Sequence, residues 1–411
     1  MVVPDGTEYY RSIAQMPAEL VELLRQYAYQ YGETYDAYLA ADRHRETFWC
    51  RGRRGAVTFV RWRRKYVQVI GGLLAPQEHI ETLLDDFAGF VRANRWNVTF
   101  FNISRDQLAL FRRHNFQITK CGEELVVRLD KTTWGGKEYE WVRRQENYCR
   151  RLGAELCEVS PDPHDPEYRD RIAPELEEVS RQHIAATMHG KELRHFVGRF
   201  DALCLPPKRL FVARRDSRIE AFLVCNPCMA GTMWAIEIYR RRPDAARGIV
   251  PFAILQTMRL LKAEGVAYCS LSLVPFLRCE QAVTGDSAIF RTVSVFWWRR
   301  LNWLFDMQGI YHFKSRFRPE YREMYVVAWP RVTVLSAFAL GSSWGIFAFR
   351  PWRFLRHSLR KWRKRARRRS LAKPSWRPGR VLRRLFGRRA PPNGQEQSAS
   401  LSKDEVSSED V

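Results

Sequence analysis

Residues 209–276 read RLFVARRDSRIEAFLVCNPCMAGTMWAIEIYRRRPDAARGIVPFAILQTMRLLKAEGVAYCSLSLVPF, and their periodicity changes in an informative order. Residues 209–214 alternate apolar and polar side chains, as a strand with one buried face does. Arg215, Asp216 and Ser217 turn the chain, residues 219–225 return, and residues 232–239 make a third strand. Pro251 suits the first turn of a helix, where its missing N–H leaves no bond unmade. The helical pattern stops at Gly265, the residue type favoured in the left-handed position after a helix. Residues 268–273 then make a fourth strand, closed by Pro275.

A meander that feeds a helix whose return strand rejoins the sheet is the core of the N-acetyltransferase-like (GNAT) fold. That fold splays two strands apart to admit an acyl donor. Its acyl-CoA-using members carry a turn of the form Gln/Arg-x-x-Gly-x-Gly/Ala, whose N–H groups hold a pyrophosphate at a helix N-terminus. Here residues 240–251 read RRRPDAARGIVP, with Gly248 the single glycine. A CoA-type cradle is therefore not expected. What remains is Glu237 on the strand and, three residues later, Arg240 opening a cationic loop that includes Arg247.

EIYR (237–240), RGIVPFAILQ (247–256) and SLSLVPF (270–276) resemble the Asp-Leu-Met-Arg and Leu-Gly-Met-Ala-Pro-Leu elements of the soluble catalytic domain of bacterial phosphatidylglycerol lysyltransferases. CGEELVVRL (121–129) is similar to that family's Gly-Glu-Glu-Ala strand, and GIYHFKSRFRPEY (309–321) to its Gly-Leu-Arg-x-Phe-Lys-x-Lys-Phe-x-Pro-x-Trp signature. The segments keep the family's order over roughly residues 20–330. Glu237 stands where the family has Asp, Arg316 where it has Lys, and Tyr321 where it has Trp. The first half's Gly-Asp-Pro turn is Gly71-Gly72-Leu73 here.

The resemblance implies an α/β architecture of tandem GNAT-like domains with a bridging helix, which the recurrence of hairpin, helix and strand in both halves also favours. The expected divisions are residues 1–130, a bridging helix and linker over 131–160, and a catalytic domain over 161–331. An apolar segment follows at 332–349, then a basic and finally acidic tail at 350–411. Residues 1–8 are expected to fray.

Net charge is +24, and 18 of the Lys and Arg residues fall within 350–389, a stretch with no Asp or Glu. The remainder is still basic, so phosphate-bearing partners are expected: RNA, anionic lipid, or both. Nine cysteines form no disulfide-like framework and no signal peptide precedes them, which points to a reducing cytoplasm. Cys225 and Cys228 are expected to be buried thiols and not metal ligands.

In the helix expected over 137–152, Arg143, Arg144, Asn147, Arg150 and Arg151 fall within about 120° of one another. This face is either a solvated charge stripe or a phosphate-tracking surface for a tRNA acceptor arm. It is expected to lack acidic partners at helical spacing. Residues 332–349 contain no charge over 18 positions, a marginal length for a membrane span. They read as a helix packed on the domain or as a membrane-inserting or interfacial segment. No run of membrane helices precedes the catalytic part, so no flippase is expected.

If the resemblance holds, an aminoacyl group moves from a charged tRNA to a hydroxyl of phosphatidylglycerol or a related lipid, at the inner face of the cell membrane. An aminoacyl ester is already activated, so neither metal nor cofactor is implied; orientation, oxyanion stabilisation and proton movement suffice. Glu237 would hold the donor's α-amino group or move a proton, and Arg240 would hold a phosphate or the oxyanion. Lys314 and Arg316 would contact tRNA or lipid phosphate. The plainer reading of Glu237 is a strand carboxylate paired with a neighbouring Arg. Glu123 and Glu124 are expected at the interface of the two halves, and His183 and His195 are too isolated to assign. Two other classes stand beside this reading: a GNAT acyltransferase using acyl-CoA, and a non-catalytic basic module that binds RNA or membrane.

Overall fold

The computed structural model describes residues 1–41, 45–187, 200–205, 208–303 and 306–343. The first repeat comprises β1 (Glu8–Tyr10), α1 (Ala18–Tyr31), β2 (Glu46–Trp49), β3 (Ala56–Trp62), β4 (Tyr66–Val69), α2 (Ile80–Ala93), β5 (Asn97–Ser104), α3 (Leu108–Arg113) and β6 (Gln117–Arg128). Then α4 (Glu140–Arg151) joins it to the second. That repeat comprises β7 (Glu155–Val159), α5 (Ala173–Ala186), β8 (Arg209–Arg215), β9 (Arg218–Cys228), β10 (Met233–Arg241), α6 (Ile249–Ala263) and β11 (Tyr268–Pro275). It is completed by α7 (Ala288–Arg300), α8 (Met307–Ser315) and β12 (Glu320–Trp329), and α9 (Val334–Ser343) follows.

All twelve strands form one sheet in the order β1-β2-β3-β4-β5-β12-β6-β11-β10-β9-β8-β7. The order is a palindrome of two six-strand repeats whose last strands are exchanged. β12 lies between β5 and β6, and β6 lies between β12 and β11. The two halves expected from the sequence therefore meet through a strand that each lends to the other. Each repeat has one parallel pair, β4 with β5 and β10 with β11, and each pair is joined by a helical crossover, α2 or α6. This is the tandem GNAT-like arrangement.

The helices form where apolar residues recur at helical spacing. In α2, Leu83, Leu84, Phe87, Phe90 and Val91 are buried on the first half of the sheet. Phe87 is fully buried and packs against Phe48, Phe59 and Phe100. Its burial stabilises by about 1.5–3 kcal/mol, and Phe87→Ala would cost about 3–5 kcal/mol once the cavity is included. α6 is buried on most sides between α4 and strands β8 to β10.

Several boundaries differ from the sequence reading. β6 begins at Gln117, ahead of the strand-like segment at 121–129, because strands on both sides bury its Lys, Gly and Glu positions. β7 (ELCEV) shows no strong alternation, yet pairs with β8 as an edge strand. Glu8, the last of the residues expected to fray, pairs with β2 at the start of β1. Cys225 and Cys228 are both buried on β9, which raises their thiol pKa values. α9 takes up residues 334–343 of the apolar segment; residues 344–349, the tail and His195 lie outside the described residues. Among the described residues no helix is long and apolar enough to cross a membrane.

Candidate active site

β10 and β11 pair in parallel only from Met233 and Tyr268 to Ala235 and Ser270. Beyond that point both ladders are irregular. The β10–β9 register shifts between Ile236 and Ile238, leaving Glu237 as the extra residue of a bulge. The β11–β6 register shifts between Ser270 and Leu273. Ser272 is left-handed (φ 66°), and its Oγ donates to the Ile236 carbonyl at 2.7 Å across the opening fork. Ser270 Oγ donates to Glu124 Oε1 at 2.5 Å, tying the fork to the central strand β6.

Lys314, in the last turn of α8, closes this cluster. Its Nζ donates to the carbonyls of Ser272 and Leu273, each at 3.2 Å, and the residue is 6% exposed. Burial strips water from the ammonium and brings its pKa down to about 7, with the Glu124 carboxylate opposing part of that shift. Burial also raises the Glu124 pKa. Near neutral pH Lys314 therefore exists in both protonation states, the condition for accepting and returning a proton.

Glu237 is buried, and its Oε2 accepts from Lys208 Nζ at 2.7 Å. Arg240 is buried as well, donating to Ser180 Oγ of α5 and lying 5.2 Å over the ring of Phe200. Its neighbours Tyr239 and Arg241 line a cavity of about 580 Å³, with His183, Arg247, the first turn of α6 and Phe313 of α8. The Nδ1 of His183 accepts from the Arg241 N–H at 3.4 Å. Burial first, and the Arg240 charge second, lower the His183 pKa, so the imidazole is neutral at pH 7. Nothing in its sequence neighbourhood marked His183; only the packing of α5 beside β10 brings it to the cavity.

In the turn before α6, three of the backbone amides that could meet a pyrophosphate are already engaged. The Ala246 N–H donates to Glu220 Oε2 at 2.9 Å, and the N–H groups of Ala245 and Ile249 donate to carbonyls within the turn. Glu220 is itself buried and paired with Arg215 at 2.6 Å. A carboxylate of the chain thus takes up an amide that a CoA phosphate would need.

On α4 the expected absence of acidic partners is corrected. Arg144 pairs with Glu140 at 2.5 Å and Arg150 with Glu146 at 3.1 Å, both at i,i+4. Arg143 donates to the Trp134 carbonyl at 2.9 Å and does not line the neighbouring cavity. Arg144, Arg150 and Arg151 do line it, with Trp141, Tyr148 and Arg247, around about 920 Å³. Arg316 lies 5.6 Å over the Trp141 ring. Arg247 lines both cavities, and Phe313 of the smaller one meets Trp141 of the larger one edge-on at 6.4 Å.

The family described as "Phosphatidylglycerol lysyltransferase, C-terminal" matches residues 25–328. The chain belongs to this family. Phosphatidylglycerol lysyltransferase of Bacillus subtilis (strain 168) is 23% identical over 259 residues, covering 63% of this chain and 29% of the relative. Its counterpart in Staphylococcus epidermidis is 21% identical over 300 residues, covering 72% and 34%. The chain thus spans about a third of the length of the curated relatives it matches. L-PGS from Bacillus licheniformis has the same fold, with a TM-score of 0.67, 20% identity, and coverage of 81% of this chain and 97% of that one. So does the C-terminal domain of a putative lysylphosphatidylglycerol synthetase from Agrobacterium fabrum, at 0.63, 21%, 79% and 95%.

The lysyltransferase-like segments are far apart in sequence but meet at the fork. EIYR forms the bulge of β10, SLSLVPF the bulge of β11, CGEEL the facing stretch of β6, and FKSRF the end of α8. Glu123 and Glu124 sit where the exchanged strands touch: Glu123 accepts from Lys120 at 2.7 Å and Glu124 from Ser270.

Proposed function

We propose that this chain transfers an aminoacyl group from a charged tRNA to a hydroxyl of phosphatidylglycerol or a closely related anionic lipid. The observation that carries the reading is Lys314, a buried lysine with a pKa of about 7, held at the fork where the family-like segments converge. In this mechanism neutral Lys314 takes the proton of the attacking lipid hydroxyl. The new ester bond forms at the donor's carbonyl carbon, the bond to the terminal ribose oxygen breaks, and Lys314 returns the proton to that oxygen.

Glu237 supplies a carboxylate for the donor's α-ammonium group, with Lys208 holding the carboxylate in place. Arg240 fixes the bulged strand against α5. Arg247, which lines both cavities, would hold phosphate, and Arg144, Arg150, Arg151 and Arg316 would hold the tRNA backbone. The Arg144–Glu140 pair is exposed and weak enough to be exchanged for phosphate, whereas Glu146, the partner of Arg150, is buried and also accepts from Gln256 and Arg259. Transfer from acyl-CoA is disfavoured, because Glu220 already engages the amide of the α6 turn. A pure binding module needs no buried lysine of depressed pKa.

The test is to incubate the full chain with a mixture of charged tRNAs and detergent-dispersed phosphatidylglycerol, then identify amino-lipids by mass spectrometry. A new aminoacyl ester of the lipid is expected. Its absence with every charged tRNA, while acyl-CoA supports transfer to any acceptor, would overturn the reading.

A further inference from the structure

α7 carries two stripes of large apolar residues. Phe290, Ser294 and Trp297 are buried against the sheet, whereas Ile289, Val293 and Phe296, at the same spacing one residue earlier, are 43%, 44% and 53% exposed. α9 repeats the pattern: Ala339 and Leu340 are buried, and Val334, Leu335 and Phe338 are 67%, 53% and 44% exposed. Both helices pack on the same hydrophobic cluster at the centre of the sheet, which contains Phe290, Trp297, Val332 and Leu340. Their starts are held by one side chain. Gln117 donates to the Asp286 carbonyl at 3.3 Å and accepts from the Val332 N–H at 2.8 Å. The two helices therefore start side by side on one face of the sheet, and each turns a row of apolar side chains outward.

The rim of this surface is cationic. Neither helix contains Asp or Glu, α7 ends in exposed Arg299 and Arg300, and exposed Arg331 precedes α9. Trp62 meets Phe338 at 5.7 Å, which brings the exposed β3–β4 turn, Arg63, Arg64 and Lys65, beside α9. Immediately beyond α9 the sequence places 18 Lys and Arg within residues 350–389. Apolar side chains flanked by cations fit one occupant, the interface of an anionic phospholipid bilayer, where the apolar groups enter the acyl boundary and the cations meet headgroups.

We propose that the outward faces of α7 and α9 form a membrane-docking surface that seats the folded domain on an anionic bilayer, separately from the basic tail. This deepens the transferase reading and rests on it for the lipid's role as acceptor. Trp298 of α7 meets Tyr311 of α8 at 6.3 Å, three residues before Lys314, so docking through α7 presents the bilayer next to the helix that carries the fork lysine.

The experiment is flotation of the full chain with vesicles of phosphatidylglycerol and phosphatidylcholine at low and high salt. Salt near 1 M screens the tail's electrostatic attraction and spares apolar insertion. Wild type is expected to retain a salt-resistant bound fraction. Val293→Asp/Phe296→Asp/Phe338→Asp is expected to lower that fraction by about tenfold or more, with transfer to detergent-dispersed lipid unchanged. In the wild-type chain, hydrogen exchange of the α7 and α9 peptides should slow when vesicles are added. Equal flotation of both proteins at high salt, or a dimer that the triple variant dissociates, would overturn the proposal. A protein that floats as expected but makes no amino-lipid would leave docking standing and remove the transferase reading.

Discussion

The two forks of the sheet are built alike and filled differently. Two residues beyond the last parallel pair, β5 places Asn102 at φ 64° and β11 places Ser272 at φ 66°. On the opposing strands the matching positions are Gly71 and Glu237. The first fork is plugged by the chain itself. Asp36 is buried there and accepts from Thr34 at 2.5 Å, Asn102 at 2.8 Å and the Gly71 N–H at 3.4 Å. Ala37 sits so close that a Cβ on Gly71, whose φ is +84°, would lie 2.9 Å from its Cα. The second fork receives a buried lysine from α8, with the cavity bounded by α6 and α8 nearby. One backbone device thus serves two ends: in the first repeat a carboxylate of the chain fills it, and in the second it holds the lysine proposed to move the proton.

The largest expected effect comes from Lys314→Met. Transfer should fall by roughly 10²–10⁴-fold, the usual consequence of losing an acid–base group. Stability should move the other way. The destabilisation from burying an ammonium is fully present below pH about 7 and fades as pH rises from there towards the ordinary lysine value. The variant should therefore melt above wild type at pH 6, with the gap narrowing by pH 9. A variant that is active, or one that melts below wild type at pH 6, would break the contrast between the forks.

Asp36→Ala tests the other fork. It leaves Thr34, Asn102 and the Gly71 N–H without their acceptor in a buried site, which should cost about 2–3 kcal/mol in denaturant unfolding. The kcat per folded molecule should stay at the wild-type value. A selective loss of kcat without loss of stability would make the first fork chemical too.

The smallest effect sharpens the assignment of the base. Transfer should rise as pH increases through about 7, as neutral Lys314 accumulates. Glu124→Gln removes the carboxylate that holds that pKa up, so the rising limb should move to lower pH while kcat at its plateau changes little. A limb that stays in place would assign the titration to another group.

How much of this was legible follows the range of each interaction. The meander, crossover helix and return strand over residues 209–276 were readable because side-chain period and turn residues are local signals. β6 was half hidden: its QITKCGEE stretch is strand only because β11 and β12 bury it from both edges. Of the proposed site residues, Glu237, Arg240, Lys314 and Arg247 carried motif or charge signals. Ser272 lay within the family-like SLSLVPF segment, while Lys208 and His183 carried no signal, since a single residue of common type becomes informative only through what packs on it. The i,i+4 pairs of Arg144 and Arg150 were present in the sequence as Glu140 and Glu146 and show that a cationic face can hold its own acids.

By itself the sequence determined the α/β class, the recurrence of hairpin, helix and strand in both halves, the family-like segments and the basic character that calls for phosphate-bearing partners. Only the tertiary structure decided that the repeats exchange β6 and β12, that Asp36 closes one fork, and that Lys314 enters the other stripped of water. The physical reason is that propensity and periodicity act over a few residues. Strand partnership, desolvation and the pKa shift that follows depend on groups brought together across as many as 215 residues of chain.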